Sequence, residues 1–221
     1  MGWKKYAHKK NVVTQRLTKV TQQTQTWLET KVEEDMGCIS NLRLKLAAKQ
    51  MYEGKLVAYP TEAVWGLGCD PLNPRAISDL LDLKGRTATK GFILIAADFG
   101  QIEPFVDIAS EQLKGKLLAC WPGPVTWIVP MNPQTPVWLR GNHDTIAVRV
   151  TAHPVASALC KAFGGAIVST SANLSGLPPA RTQLKIRCYF PGGKLNFLPG
   201  AIGGLDRPTA IFDALSGTKL R

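Results

Sequence analysis

Three cations lie close together in the segment KGRTATKG, residues 84–91: Lys84, Arg86 and Lys90. The segment contains no acidic residue and nothing apolar larger than alanine. An arginine presents a planar fork of donors that matches paired phosphate or carboxylate oxygens, and a lysine supplies a point charge. The residue types leave two interpretations open, a solvated basic turn or a site for a polyphosphate.

A second polar segment, STSAN at residues 169–173, offers small hydrogen-bonding side chains. Its candidate side chains are Ser169, Thr170, Ser171 and Asn173. Serine hydroxyls and backbone N–H groups commonly complete a phosphate cradle. The alternative for this segment is a capped turn. The segment follows a predicted strand, and loops at strand ends are where open α/β sheets bind ligands.

Further polar candidates lie beside other predicted strands. Thr61 and Glu62 belong to PTEAVWG, which follows the strand KLVAY, and Thr126 belongs to WPGPVT. In TIAVRV, residues 145–150, the period-two alternation puts Arg149 on the face opposite the isoleucine and valines. These residues extend a set of cations and hydroxyls suited to a triphosphate.

Several other function classes lack their signatures in the sequence. There is no GxxxxGK[ST] loop, no GxGxxG and no GxSxG around Ser171. The five cysteines are scattered with no CxxC pair, which favours reduced thiols in a cytosol over a disulfide framework or a zinc site. No apolar run approaches 18 residues, and no secretory signal is expected at the N-terminus. We therefore expect a cytoplasmic protein without a membrane span.

The pattern of apolar residues predicts one α/β domain with a mixed, twisted sheet and no second domain. Helix signals are an apolar stripe from Leu42 to Met51 ended by Gly54, Asn73-Pro74 as a start, and His153-Pro154 opening a helix through Phe163. Predicted strands cover residues 55–59, 92–97, 125–131, 145–150 and 208–214. Residues 166–173 are predicted as a strand that runs into the polar STSAN loop.

The formal charge of the 221-residue chain is +11, which favours polyanions such as nucleotides, RNA or acidic partners. Residues 1–36 are rich in Lys, Thr and Gln, and we predict a weakly structured extension there, with the domain at residues 37–221. Without residues 1–36 the chain keeps 20 basic and 12 acidic residues, a charge of +8. The positive charge therefore belongs to the domain as well.

Several segments in series resemble the YrdC-type threonylcarbamoyl-AMP synthases, with order and spacing kept over roughly residues 42–221. They are KLVAYPTEAVWGLGCDP, LDLKGRTATKGFILIAA, WPGPVTWIVP, DTIAVRVTAHP and VSTSANLSGLPP. The resemblance implies a single YrdC-like domain in which a twisted mixed sheet with flanking helices surrounds a basic cavity. It also implies the short form of the family, without the extra C-terminal domain of longer relatives.

The activity implied by this resemblance joins L-threonine, bicarbonate and ATP into L-threonylcarbamoyl-adenylate and releases pyrophosphate, with Mg²⁺ accompanying the ATP. Transferase proteins of the pathway then pass the threonylcarbamoyl group to an adenosine of tRNAs that read ANN codons. The implied class is a nucleotidyltransferase acting in tRNA modification.

The family's K-x-R…K and S-x-N motifs fall on residues of this chain. The resemblance implies that Lys84, Arg86 and Lys90 neutralise the triphosphate and orient the substrate. It assigns ATP binding to Lys84, Arg86, Thr126, Ser169, Ser171, Asn173 and Thr209, and threonine binding to Thr61 and Arg149. It implies no side-chain ligand for the metal.

The sequence departs from the family pattern at two positions and lacks one contact. Gly91 stands where many relatives have proline, Trp65 stands where tyrosine or phenylalanine is usual, and FILIAA carries no histidine. Two alternatives remain: a non-catalytic RNA-binding module of tRNA or ribosome maturation, and a carbamoyl-transfer or nucleotide-hydrolysing relative.

Overall fold

The structure is a computed structural model that describes residues 40–87, 89, 91–193 and 195–221. The extension predicted at residues 1–36 lies outside the described residues. The helices are α1 (Asn41–Tyr52), α2 (Pro74–Lys84), α3 (Glu111–Leu118), α4 (Val137–Arg140), α5 (Pro154–Phe163) and α6 (Gln183–Tyr189). The strands are β1 (Leu56–Pro60), β2 (Trp65–Gly68), β3 (Ile93–Ala96), β4 (Val125–Pro130), β5 (Thr145–Val150), β6 (Ile167–Ser171), β7 (Leu195–Phe197) and β8 (Ala210–Asp213).

The strands form one sheet in the order β7-β1-β2-β6-β3-β5-β4-β8. The pairs β1–β7, β3–β5 and β4–β8 are parallel, and the other neighbouring pairs are antiparallel. A mixed α/β sheet with flanking helices is therefore confirmed.

The two faces of the sheet support separate apolar clusters, because successive strand residues point to opposite sides. In β1, Leu56 and Ala58 belong to the larger cluster, whereas Val57 and Tyr59 belong to the smaller one. Helices α1 and α5 pack on the smaller cluster, and α2 contributes to the larger cluster. The sheet is thus covered on both sides.

The helix starts predicted from sequence are confirmed at two caps. The Asn73 side chain accepts from the backbone N–H groups of Arg75 and Ala76, both at 3.1 Å, with Pro74 in the first turn. His153 caps α5 in the same way. Both helices therefore begin where a polar side chain satisfies N–H groups that have no partner within the helix.

Some elements differ from the sequence-based prediction. Strands β2 and β7 and helices α3, α4 and α6 were not predicted. The segment PTEAVWG is therefore a tight connection that leads into β2, and β1 extends through Pro60, which pairs with Trp65. β8 begins at Ala210, so Thr209 lies immediately before that strand. No helix among the described residues is long and apolar enough to cross a membrane.

Candidate functional site

A cavity of about 320 Å³ lies on one face of the sheet. Its floor is a row of residues directly opposite one another on four adjacent strands: Ser169, Ile93, Ala147 and Ile128. Two of these side chains are small, and β2 adds Gly66 beside them. The cavity therefore forms where small residues on neighbouring strands leave the sheet uncovered.

The charged side chains on the cavity wall all carry positive charge. Arg86, Arg149 and Arg221 line it, and the described lining residues include no aspartate or glutamate. Hydroxyl groups of Thr61, Ser169, Thr170, Ser171 and Thr209 complete the polar lining. Guanidinium and hydroxyl donors without a competing carboxylate suit an anionic ligand.

Arg86 is held against the wall by backbone and ring contacts. Its Nη2 donates to the carbonyl oxygen of Gly91 at 2.6 Å, and its Nη1 lies 3.4 Å from the hydroxyl of Thr170. The guanidinium carbon sits 5.4 Å from the centre of the Phe92 ring. Burial lowers the pKa of Arg86, but an arginine keeps its charge at neutral pH. The cation is thus positioned before any ligand arrives.

Arg149 lies on β5 with its guanidinium buried among polar partners, and the residue is 5% exposed. Its Nη1 donates to the Oγ1 atoms of Thr209 at 2.7 Å and Thr126 at 3.2 Å. As predicted from alternation, it points away from Val148 and Val150, which belong to the larger apolar cluster. Thr126 is fully buried and reaches the cavity through Arg149.

Glu62 stands behind Arg149 and is 2% exposed. Its Oε2 lies 3.3 Å from the Arg149 Nη2, and its Oε1 accepts from the Thr151 hydroxyl at 2.6 Å. Burial disfavours the charged carboxylate, but Arg149, His153 and the Thr151 hydrogen bond together hold the pKa of Glu62 below its ordinary value. The cavity arginine therefore has a buried, ionised counter-ion.

Lys84 lies behind the cavity wall, against the STSAN loop. It is 4% exposed and is not among the residues that line the cavity. Its Nζ donates to the carbonyl oxygens of Ser171 and Asn173, the latter at 2.8 Å. Burial, followed by the charge of Arg86, lowers the pKa of Lys84 to about 8. In this arrangement Lys84 anchors the STSAN loop.

Asn173 is engaged within the same loop. Its Nδ2 donates to the carbonyl oxygens of Leu174 at 2.9 Å and Leu177 at 2.7 Å, and its Oδ1 accepts from the Ser171 hydroxyl at 2.6 Å. Asn173 is not a lining residue, whereas Ser171 is. The S-x-N pair therefore shapes the loop while Ser171 faces the ligand space.

The structure brings most of the predicted site residues to one cavity. Those on its lining are Thr61, Arg86, Arg149, Ser169, Ser171 and Thr209. Lys84, Thr126 and Asn173 lie directly behind it, and Lys90 falls outside the described residues. The individual roles assigned to these residues from the sequence stay predictions.

Sequence reasoning did not select Arg221 or Trp65 as a site residue, although both line the cavity. Arg221 donates from Nη2 to the carbonyl oxygen of Thr209 at 3.0 Å. The sequence does hold a hint of this role, because Arg221 is a cation that follows the last predicted strand by a few residues. Its approach to the cavity depends on the pairing of its backbone with Ile211, which spacing does not reveal.

The donors around the cavity do not resemble a metal-binding set. Among the residues that the structure describes, no group of three or more His, Cys, Asp or Glu side chains is placed to hold a metal ion. The carboxylate behind the cavity wall, Glu62, is paired with Arg149. The lining fits an anion better than a cation held by the protein.

The fold and the cavity define an α/β domain with a cavity of arginines and hydroxyls on one face of its sheet. Residues 49–219 match the Sua5_yciO_yrdC family, which is described as telomere recombination. The chain belongs to the Sua5/YciO/YrdC family.

Two relatives with more than 50% identity are both named threonylcarbamoyl-AMP synthase. The threonylcarbamoyl-AMP synthase of Methylococcus capsulatus is 59% identical over 186 residues, covering 84% of this chain and 100% of that protein. The threonylcarbamoyl-AMP synthase of Halorhodospira halophila is 52% identical over 180 residues, covering 81% of this chain and 94% of that protein.

Solved structures support the same fold. P. abyssi Sua5 complexed with L-threonine has a TM-score of 0.72 and 32% identity, covering 77% of this chain and 50% of that chain. E. coli YciO has a TM-score of 0.65 and 24% identity, covering 77% and 82%, and shows the fold alone. The chain spans about half the length of the P. abyssi Sua5 chain.

Proposed function

We propose that this protein is an L-threonylcarbamoyladenylate synthase, which converts L-threonine, bicarbonate and ATP to threonylcarbamoyl-AMP and pyrophosphate. The relatives named threonylcarbamoyl-AMP synthase support this activity, because the M. capsulatus protein is similar over 100% of its length. The observation that carries the proposal is the cavity, where several cations and hydroxyls but no described carboxylate face the ligand space.

The size and polarity of the cavity suit the proposed substrates. A volume of about 320 Å³ lies within the range of small-molecule sites. Arg86 lies beside the STSAN loop, whereas Arg149 lies beside Thr126 and Thr209. Arg221 contacts Thr209, as Arg149 does, so these two arginines form one cationic position and Arg86 forms another. Two separate cationic positions match a ligand set with two anionic groups. We assign the triphosphate to Arg86 with Ser169 and Ser171, and the threonine carboxylate to Arg149 with Thr61.

The proposed chemistry requires no enzyme nucleophile. The threonine amine forms a C–N bond to the carbon of bicarbonate, losing a proton as water leaves, and yields an N-carboxylate. A carboxylate oxygen then attacks the α-phosphorus of ATP in line, and the bond to the β-phosphate oxygen breaks to release pyrophosphate. Positioning and charge stabilisation supply the catalysis in such a transfer.

Mg²⁺ enters this proposal as part of the substrate MgATP. The lining offers hydroxyls and cations, which bind phosphate oxygens, and the metal neutralises the remaining phosphate charge. The proposed product is an activated mixed anhydride, so a transferase that delivers its acyl group to a tRNA adenosine is the expected consumer. We propose tRNA and those transferase proteins as partners.

The test is pyrophosphate release from MgATP and bicarbonate, with and without L-threonine, together with mass spectrometry of the product. Threonine-dependent release of pyrophosphate with threonylcarbamoyl-adenylate is the expected result. A folded protein that releases none but binds tRNA with strong salt dependence would overturn the proposal in favour of an RNA-binding module.

A further inference from the structure

A buried ion pair connects the PTE segment, residues 60–62, to the cavity. We infer that Glu62 is a positioning residue that fixes the orientation of Arg149. The part of this inference that concerns threonine rests on the proposed function. Glu62 does not line the cavity, so it acts through Arg149 and not on the ligand.

The Glu62 carboxylate is itself held in place. Its Oε1 accepts from the Thr151 hydroxyl at 2.6 Å, and its backbone oxygen accepts from the Leu205 N–H at 3.1 Å. The neighbouring Thr61 oxygen accepts from the Gly203 N–H at 2.8 Å. A Cβ at Gly203 would lie 2.3 Å from the Glu62 backbone oxygen, so the two backbones are in direct contact. The carboxylate therefore belongs to a segment whose backbone is held by hydrogen bonds from Gly203 and Leu205.

This carboxylate supplies a contact that the hydroxyl partners of Arg149 do not. Thr126 and Thr209 both accept from Nη1, whereas Glu62 faces Nη2 at 3.3 Å. Contacts at both Nη atoms set the plane of the guanidinium. With Glu62 neutral, the charged contact at Nη2 is lost, and only the Nη1 contacts then oppose rotation of the guanidinium about its Cζ–Nε bond.

The charge of Glu62 explains why a cation can be buried at this point. Isolated buried charges are strongly disfavoured, and a paired counter-ion offsets that cost. Arg149 and Glu62 are both nearly inaccessible, and the arginine still lines the cavity. The pair therefore keeps a preorganised guanidinium at the wall before a carboxylate ligand binds.

The test compares the wild type with Glu62→Gln, which keeps the side-chain shape and removes the charge. In protein labelled with ¹⁵N-arginine, we expect separate Nη1 and Nη2 signals for Arg149 in the wild type and averaged signals in the variant. The signals of Arg149 are identified as those that are missing from the spectrum of the Arg149→Lys variant. Glu53→Gln is the matched control, since it removes a glutamate from an exposed ion pair.

In the enzyme assay we expect Glu62→Gln to raise the KM for L-threonine at least tenfold and to change the KM for ATP less than twofold. In an Arg149→Gln background, which has no cation to pair with Glu62, the same change should have no further effect, because Glu62 acts through the arginine. Should Glu62→Gln not fold, Thr151→Val, which removes the donor to Glu62, takes its place in the same measurements.

Unchanged Arg149 signals in the folded variant would overturn the inference. Equal rises of the threonine KM in the wild-type and Arg149→Gln backgrounds would also overturn it. The spectroscopic result stands apart from the activity. A wild type without threonine-dependent pyrophosphate release contradicts the proposed function, while its Arg149 signals still test the positioning role.

Discussion

Arg86 is the half-buried cation of the basic segment that faces the cavity. We expect Arg86→Ala to lower kcat/KM about 100-fold, because removal of one preorganised donor costs roughly 2.7–4 kcal/mol of transition-state stabilisation. Steady-state pyrophosphate release measures this. Arg75→Ala is the control, since Arg75 lies exposed on α2 and away from the cavity. Equal activity of Arg86→Ala and Arg75→Ala would remove Arg86 from the phosphate site.

Lys84 makes the stability of the protein depend on pH. Its pKa is lowered to about 8 in the folded protein, and an unfolded lysine titrates at about 10.4. Between these values the unfolded chain binds a proton that the folded chain has released, so the free energy of unfolding rises with pH. From this group alone the rise is on the order of 3 kcal/mol.

The measurement for Lys84 is urea unfolding at several pH values between 7.5 and 10. Lys84→Met lacks the titrating amine, so the stability difference between wild type and variant isolates this group from all others. We expect that difference to grow in favour of the wild type as pH rises. A difference that is constant across the range contradicts the lowered pKa.

At the residue scale the sequence reasoning found the types of side chain but not their orientation. Arg86, Ser169 and Ser171 are predicted site residues that line the cavity. Lys84 and Asn173 come from the same motifs, yet their polar groups are engaged by backbone atoms of one loop. Motif spacing places a residue near a site, but the direction of its side chain depends on packing around the loop.

At the scale of elements, the C-terminal residues of α4 brace the basic segment. Phe92 donates from its N–H to the Leu139 oxygen at 2.9 Å, and a Cβ at Gly91 would lie 2.8 Å from the Arg140 oxygen. Gly91 has φ of +58° and also supplies the carbonyl that accepts from Arg86. Glycine is therefore required here by the backbone conformation and by the close approach.

This contact predicts a difference between two glycines with the same φ. Gly85 also has φ of +58°, but nothing lies within 4 Å of a Cβ added there. We expect Gly85→Ala to cost roughly 1–2 kcal/mol of stability from the left-handed conformation. Gly91→Ala should cost about 1–3 kcal/mol more from overpacking. Urea unfolding compares the two, and equal losses would contradict the brace.

The elements predicted correctly are those with strong local signals. The alternation in residues 145–150 and the caps at Asn73 and His153 each determine one element locally. Strands β2 and β7 have four and three residues, and β2 contains two glycines. Too few residues are present for a period to emerge, and their pairing with β1 comes from tertiary contacts.

At the scale of the molecule, the sheet order brings distant segments of the chain to one cavity. The strands β6, β3, β5 and β4 are adjacent in the sheet, although the chain visits them in a different order. The basic segment, the STSAN loop and the residues before β8 therefore meet over the same floor. The proposed activity depends on this assembly, because no single segment carries both cationic positions.

The activity is expected to be contained in the part of the chain that follows residue 35. The lining residues of the cavity begin at Thr61, and the family match covers residues 49–219. We expect a variant that starts at Met36 to keep kcat/KM within about twofold, equivalent to ~0.4 kcal/mol.

The same variant should lose affinity for tRNA mainly at low salt, since the deletion removes seven cations and the remainder keeps a charge of +8. Pyrophosphate release and tRNA binding at two salt concentrations measure both effects. A tenfold fall in kcat/KM would place residues 1–35 in the catalytic unit.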